Sequence, residues 1–159
     1  MKIYYLNEEH YLLVTIEKAW EFFSSAENLS VITPPELGFK IFTNAKEKEI
    51  YEGMVIEYKV SPLFKIPLYW RTEILRVNKP YSFTDRQAKG PYKLWEHTHT
   101  FIEKGNGILM KDSVKYGLPF GVLGRLAHSL IVKKKLAHIF DYRKQILNQI
   151  FNSHANPTN

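Results

Sequence analysis

Four side chains alternate along one stretch of the sequence: Trp95, His97, His99 and Phe101. Successive side chains of a β-strand point to opposite faces, so an extended conformation directs all four to the same face. Two histidines at this spacing can converge on one metal ion, and a histidine that titrates near neutral pH can act as a general acid or base. The two aromatic neighbours indicate that this face is covered, so the imidazoles are expected to line the wall of a cavity.

A carboxylate occurs at the corresponding phase of the next predicted strand, where Met110, Asp112, Val114 and Tyr116 alternate in the same way. Lysines and a serine occupy the intervening positions, which are expected to face water. Antiparallel pairing of the two strands would bring Asp112 close to the two histidines.

Three interpretations of His97, His99 and Asp112 stay open. As a zinc site, they supply two nitrogens and one carboxylate, with Glu73 or water as the fourth ligand. As a catalytic site, Asp112 would hold one histidine as a general base for a bound carbonyl compound. As a structural patch, the three groups would satisfy one another by hydrogen bonding. The sequence favours the structural patch over acid–base chemistry, and acid–base chemistry over a metal.

For the two predicted strands before this pair, alternation does not decide which set of side chains faces the covered side of the sheet. Arg71 and Glu73 share one phase, and the apolar residues of the same stretch take the other. An inward Arg71 would bind an anionic head group of a ligand, whereas an outward Arg71 is a surface charge. Asp85 and Arg86 carry the same ambiguity.

Alternation along the strands and the apolar side of the last helix together select the candidate site. The candidate ligand-binding residues are Tyr58, Arg71, Trp95, His97, His99, Met110, Asp112, Tyr116 and Leu126. The candidate catalytic residues within that set are His97, His99 and Asp112.

These residues depend on a succession of elements that hold them in register. A first strand is predicted in residues 2–13, and two short helices follow in residues 15–23 and 28–32, before Thr33-Pro34-Pro35. Runs of β-branched and aromatic residues broken by short turns then predict six antiparallel strands. The six predicted strands are residues 38–43, 54–60, 68–77, 82–88, 92–103 and 108–116.

After Gly117-Leu118-Pro119, apolar residues at helical spacing predict one long amphipathic helix. Lys134, Arg143 and Lys144 are assigned to its polar side. The predicted apolar stripe comprises Leu123, Leu126, Ala127, Leu130, Ile131, Leu136, Ile139, Phe140, Ile146, Leu147, Ile150 and Phe151.

One face of such a sheet must be covered, and only the long helix is large enough to cover it. A sheet that curls around a helix leaves room for a cavity. Because the sequence contains no repeat or linker, we expect a single domain in residues 1–152 and a frayed tail in residues 153–159.

The composition argues against several classes of protein. The chain has no cysteine, which removes disulfides, thiolate nucleophiles and cysteine-ligated zinc. It lacks the G-x-G-x-x-G, Walker A, G-x-S-x-G and H-E-x-x-H motifs, so we expect no nucleotide cofactor and no resident metal. No signal peptide or bilayer-spanning apolar stretch is recognisable, and a cytoplasmic location is expected.

The formal net charge of +6 is unevenly distributed along the chain. Residues 1–110 contain 14 basic and 14 acidic side chains, whereas residues 111–144 contain 8 and 2. One solvated, lysine-bearing helix face explains this excess more simply than nucleic-acid binding, which is not expected.

Several local motifs accompany this order of elements. They are Ala19-Trp20-Glu21-Phe22-Phe23, Ile32-Thr33-Pro34-Pro35 with Leu37-Gly38-Phe39, Trp70-Arg71-Thr72, Gly90-Pro91-Tyr92 with Trp95-x-His97-x-His99-x-Phe101, and Leu118-Pro119-Phe120-Gly121. With them, the whole chain resembles the SRPBCC, or START-like, superfamily. More narrowly, it resembles bacterial ligand-binding proteins grouped with polyketide cyclase/dehydrase-like proteins.

The resemblance implies an α+β helix-grip fold: a seven-stranded antiparallel sheet curled around a long C-terminal helix, with two short helices after strand 1 and an apolar cavity between sheet and helix. Members bind lipids, sterols, polyketides or other hydrophobic molecules, and some cyclise or dehydrate polyketides.

We therefore expect the chain to bind a small hydrophobic or amphipathic molecule, lipid-like or polyketide-like. One alternative is an enzyme of the cyclase/dehydratase type that uses His97 or His99 as acid or base. Another is a regulatory module that contacts a dehydrogenase-like or epimerase-like partner through the basic helix face. A homo-oligomer is a further alternative.

Overall fold

A computed structural model describes residues 1–42, 49–61 and 65–153 of the chain. Thr43 of the predicted second strand, Pro62 of a predicted turn and most of the predicted tail lie outside these ranges. The β-strands are β1 (Ile3–Leu12), β2 (Lys40–Ile41), β3 (Val55–Val60), β4 (Leu68–Asn78), β5 (Ser82–Lys89), β6 (Leu94–Lys104) and β7 (Gly107–Gly117). The helices are α1 (Ile16–Phe23), α2 (Asn28–Val31), a 3₁₀ turn (Pro35–Leu37), α3 (Gly121–Ala127) and α4 (Lys133–Leu147).

Over the described residues, the strands form one seven-stranded antiparallel sheet in the order β1-β7-β6-β5-β4-β3-β2. Each strand from β2 to β7 pairs with its neighbour in sequence, as short connections favour, and β1 returns to pair with β7. The predicted α+β helix-grip architecture is therefore confirmed.

The covered face of the sheet follows the alternation of the two long central strands. His97, His99 and Phe101 of β6 are buried, and so are Met110 and Asp112 of β7. In the pairing of these strands, His99 lies opposite Asp112, and His97 lies opposite Asp85 of β5 on the other side. The register therefore brings the two histidines and two carboxylates together.

β4 shows which of its two phases is covered. Trp70, Thr72 and Ile74 are buried, whereas Arg71 is exposed and Glu73 forms an ion pair with Arg86 outside the sheet. Burying the apolar phase removes two large side chains from water without desolvating an unpaired charge, which decides the orientation.

The C-terminal helix runs continuously from α3 through a π-helical turn (His128–Val132) into α4, and ends in a second π-helical turn (Asn148–Asn152). Its buried face in α4 consists of Leu136, Phe140, Arg143 and Leu147. Among the residues that the structure describes, no helix has both the length and the apolar character needed to cross a bilayer.

The predicted apolar stripe is only partly buried. Leu123, Leu126 and Leu130 are exposed. The next turn contacts the sheet through His128, whose imidazole stacks on the Tyr4 ring with centroids 3.5 Å apart and whose Nε2 is 2.8 Å from the Tyr116 hydroxyl.

The core at the other end of the sheet is aromatic. Phe101 stacks on Phe23 with ring centroids 5.3 Å apart, and Trp20 meets Phe83 edge to face at 5.9 Å. Offset and edge-to-face contacts of this kind add to the free energy of burial. They join α1 to β5 and β6.

Replacing Phe101 by alanine should lower the free energy of unfolding by about 3–5 kcal/mol, because this fully buried ring leaves a cavity. Ile102→Ala, on the outer face of the same strand, is the matched control and should change it by less than about 1 kcal/mol. Urea denaturation measures both, and equal losses would contradict the assigned face of β6.

Candidate functional site

A cavity of about 200 Å³ lies between the sheet and α4. The α1–α2 region, the 3₁₀ turn and strands β3 to β6 form the rest of its wall, which is mostly apolar and aromatic. Trp70 of the wall stacks on Tyr58 at 5.9 Å and meets Trp95 edge to face at 5.5 Å. This part of the cavity wall is therefore aromatic, and aliphatic side chains form much of the rest.

One end of this cavity is polar. The polar cluster at this end is centred on the buried carboxylate of Asp112. The Asp112 Oδ1 atom lies 2.8 Å from Nε2 of His97, 3.0 Å from Nδ1 of His99 and 3.3 Å from Nη2 of Arg143. The second ring nitrogen of His99 is 3.2 Å from Oδ2 of Asp85. Two positions of β6 and one of the helix thus surround one buried carboxylate, and Asp85 holds the far side of the His99 ring.

Hydrogen bonding sets the protonation states of this cluster. Burial alone would raise the pKa of Asp112, but the charge of Arg143 and hydrogen bonds from His97 and His99 hold it well below its usual range. Burial alone would lower the pKa of His99, yet hydrogen bonds to Asp112 and Asp85 outweigh burial and raise it. The raised pKa favours the protonated ring of His99, which places an N–H toward each of the two carboxylates.

His97 is driven in the opposite direction. Its pKa is lowered, first by burial and then by the charge of His99, and the contact with Asp112 compensates only in part. The neutral ring donates its Nε2–H to Asp112. No described residue forms a hydrogen bond with its Nδ1 atom.

Two further polar groups at the cavity are buried without a partner among the described residues: Nε1 of Trp70 and Nε of Arg143. Both are N–H donors. Burial also raises the pKa of Tyr58 and Tyr92, so both hydroxyls at the cavity wall are neutral.

The structure distributes the predicted site residues unevenly. Tyr58, Trp95, His97 and His99 line the cavity, and Asp112 lies directly behind the two histidines.

Two of the predicted residues are core residues instead. Met110 belongs to the apolar core next to Phe101, and Tyr116 lies under the start of the C-terminal helix with Tyr4 and His128. Neither reaches the cavity wall.

Two other expectations are corrected. Arg71 projects from the outer face of the sheet, because the apolar phase of β4 is covered. Leu126 is 56% exposed, because α3 lies beyond the cavity.

Sequence reasoning missed two members of the polar cluster. Arg143 was assigned to the polar side of the helix, but it is 7% exposed. Its position, three residues after Phe140 and four before Leu147, places it on the apolar stripe and was the available signal. Asp85 had an undecided face, and its pairing with His97 resolves it.

The donor set considered for the zinc interpretation changes as well. Glu73 pairs with Arg86 on the outer face, and Asp85 takes its place: ligand atoms of Asp85, His97 and His99 lie within 4.8 Å of one another. The imidazolium of His99 and the adjacent guanidinium of Arg143 oppose a cation here. Hydrogen bonding satisfies this donor set better than metal ligation does.

No family model and no curated protein sequence matches this chain. Several solved structures, in contrast, superimpose on it. A START superfamily protein from Mycobacterium smegmatis superimposes with a TM-score of 0.68 at 12% identity, covering 92% of this chain and 98% of that chain. Norcoclaurine synthase from Thalictrum flavum, in complex with dopamine and hydroxybenzaldehyde, gives a TM-score of 0.63 at 13% identity, covering 93% and 88%. A major latex-like protein from Panax ginseng gives 0.63 at 12%, covering 94% and 97%.

These similarities define the class of the fold. The chain has the helix-grip fold of these START-like structures, and the fold that the motif resemblance implied is confirmed. Identities this low establish the fold alone.

At pH about 6.5, where an unperturbed histidine is half protonated, we expect His99 to be cationic and His97 to be neutral with its proton on Nε2. Side-chain ¹⁵N chemical shifts, assigned with His97→Gln and His99→Gln variants, measure both states. Titration of both rings together near pH 6.5 would contradict the assignment.

The same shifts predict the pH dependence of folding. Protonated His99 stabilises the fold fully below pH about 6.5, and this contribution is lost as the pH rises through its higher folded-state pKa. Neutral His97 contributes fully above pH about 6.5, and its contribution is lost as the pH falls toward its lower folded-state pKa. Urea denaturation of the two glutamine variants across this range separates the contributions.

Proposed function

We propose that this chain binds a small amphipathic molecule whose apolar body occupies the aromatic part of the cavity and whose oxygen-bearing end meets the polar cluster. The observation that carries this proposal is that two residues of the cavity wall, Trp70 and Arg143, each have a buried N–H group, Nε1 and Nε, without a partner among the described residues. A buried donor without an acceptor costs about 1–3 kcal/mol. A ligand oxygen that accepts from either donor recovers that cost.

The charges of the cluster restrict the ligand further. Two carboxylates, one imidazolium and one guanidinium leave the cluster without net charge, so a strongly charged ligand would unbalance it. The groups that remain available are the two donors and the Nδ1 acceptor of neutral His97. A hydroxyl or carbonyl group suits this set, because a hydroxyl both accepts and donates.

The size of the cavity points to a compact ligand. Its volume of about 200 Å³ lies below the ~300–1,000 Å³ typical of pockets for drug-sized molecules. The stacked and edge-to-face rings of Tyr58, Trp70 and Trp95 suit a flat aromatic or polyketide-derived ring system better than a long acyl chain. Within the lipid-like or polyketide-like expectation, this favours the second class.

A structural neighbour supports this ligand class by analogy. Norcoclaurine synthase was solved with dopamine and hydroxybenzaldehyde, which are both small oxygenated aromatic molecules. The same fold can therefore enclose compounds of this size and chemistry, and the proposal extends that capacity to this chain.

A second candidate function is acid–base catalysis of the cyclase/dehydratase type, and the protonation state of His97 favours it. A neutral imidazole with a free Nδ1 at the cavity wall can accept a proton from a bound substrate. Asp112 then stabilises the resulting imidazolium through Nε2.

The two candidates differ in the effect of His97→Ala. A binding protein should show a modest change in selectivity for the polar end of the ligand. An acid–base enzyme should lose about 10² to 10⁴ in turnover. Assays of cyclisation and dehydration on oxygenated aromatic substrates measure the turnover, and His138→Ala, at an exposed imidazole of α4, is the control.

The ligand proposal predicts that 2-naphthol binds more tightly than naphthalene, because only the naphthol offers an oxygen. Trp70→Phe keeps an aromatic ring and removes the Nε1–H donor, so it should reduce this preference by about two- to tenfold. Isothermal titration calorimetry measures both affinities.

Tyr69→Phe is the matched control, because Tyr69 neighbours Trp70 on β4 and its hydroxyl bonds Glu57 on the outer face. It should leave the preference unchanged. Equal binding of naphthol and naphthalene by the unmodified protein would contradict the proposed polar end, and binding of neither would contradict the proposed ligand class.

A further inference from the structure

The start of the C-terminal helix exposes a contiguous apolar surface that the cavity does not use. Phe120 is 80% exposed, Leu123 71% and Leu130 61%, and Val122 and Leu126 are exposed with them. Leu123, Leu126 and Leu130 occupy positions i, i+3 and i+7, so they lie on one side of the helix. We name these five residues the α3 apolar face.

Local contacts of the helix orient the α3 apolar face away from the protein. Gly124 lies against the turn before the helix, where an added Cβ would come within 2.1 Å of the Pro119 carbonyl oxygen. His128 fixes the next turn against Tyr4 and Tyr116. The sheet side of α3 is therefore occupied, and the apolar side chains point away from the protein.

Basic residues adjoin the α3 apolar face at its C-terminal end. Lys133 and Lys134 follow Leu130 at i+3 and i+4, which places them on the same side of the helix one turn later. Arg125 lies on α3 itself. The ammonium of Lys2 lies 5.3 Å from the Tyr4 ring centroid, at the point where the helix meets the sheet.

Acidic residues do not balance these charges locally. The sequence has no aspartate or glutamate from Ser113 to Phe140. Within the described part of the chain, Arg125, Lys133 and Lys134 form no ion pair. The surface combines exposed apolar side chains with uncompensated positive charge.

From this combination we propose that the α3 apolar face docks onto an anionic lipid surface. Exposed leucine and phenylalanine on one side of a helix enter the region between head groups and acyl chains, and flanking lysines and arginines attract anionic head groups. Long basic side chains reach the head groups while their methylene stems remain with the apolar side chains.

A second copy of the chain fits this surface less well. A twofold contact between identical α3 apolar faces would bring Arg125, Lys133 and Lys134 of one copy toward the same residues of the other. Like charges at an interface oppose association. Nucleic acid would complement the charge but would leave the five apolar side chains in water.

The proposal is tested with the full chain and vesicles of phosphatidylcholine, with and without phosphatidylglycerol, by co-sedimentation. We expect binding only when phosphatidylglycerol is present, and weaker binding at high salt. Leu123→Asp should weaken binding by at least about tenfold, because it places a carboxylate in the docked surface. Ile102→Asp adds the same charge at an exposed site on the outer sheet face and should bind like the unmodified protein.

Lys134 provides a second, electrostatic readout. Lys134→Ala should weaken binding and flatten its salt dependence, whereas Lys134→Arg should restore both. Circular dichroism of each variant confirms that the fold is retained.

Three outcomes would overturn the proposal. They are equal binding to vesicles with and without phosphatidylglycerol, vesicle binding that Leu123→Asp leaves unchanged, and absence of vesicle binding together with a dimer that Leu123→Asp dissociates. The last outcome would assign the α3 apolar face to a second copy. None of these outcomes bears on the cavity, whose wall contains none of these residues.

Discussion

The buried carboxylate of Asp112 is the interaction on which the arrangement of this protein depends. It accepts from two histidines of β6 and from Arg143 of α4, and all of these groups are buried. Removing one partner of such a cluster leaves an uncompensated charge in a low-dielectric interior, which typically costs about 3–5 kcal/mol. The cluster therefore fixes the rotation of the helix above the sheet and the register of β6 on β7 at the same point.

The asymmetry between the two histidines follows from this constraint. His99 contacts two carboxylates, Asp112 and Asp85, so a positive charge is stabilised on its ring. His97 hydrogen-bonds only one carboxylate, Asp112, and has the His99 ring beside it, with centroids 3.8 Å apart. Two adjacent imidazoles rarely both carry a charge, and the one with two carboxylates takes the proton. This separation leaves a neutral imidazole at the cavity wall.

Much of this architecture was predictable from the sequence. Period-two alternation in β6 and β7 identified Trp95, His97, His99 and Asp112 as members of one covered face, because a buried face fixes strand register strongly. Order and type of the main elements followed from apolar periodicity. The motifs that resemble START-like proteins predicted the same α+β helix-grip fold.

The orientation of several charged side chains could not be predicted from the sequence, because it depends on tertiary contacts. The face of Arg71 depended on the competing burial of Trp70 and Ile74, and that of Asp85 on its pairing with β6. The burial of Arg143 could not be predicted from its residue type. A guanidinium on an apolar stripe is buried only if a carboxylate elsewhere in the sequence neutralises it. Such a pairing across 31 residues is a tertiary fact that periodicity does not contain.

The C-terminal helix departs in two places from the usual pattern of buried apolar and exposed charged side chains. Its buried stripe includes a charged residue, Arg143, and its exposed first turns include Leu123 and Leu126. Buried charge and contiguous exposed apolar surface are the two placements that stability alone does not favour. The buried charge of Arg143 is compensated inside the fold by Asp112, whereas the described residues do not cover the apolar side chains of α3. Because the π-helical turn at His128–Val132 lies between them, the two regions use separate residues and can be tested independently.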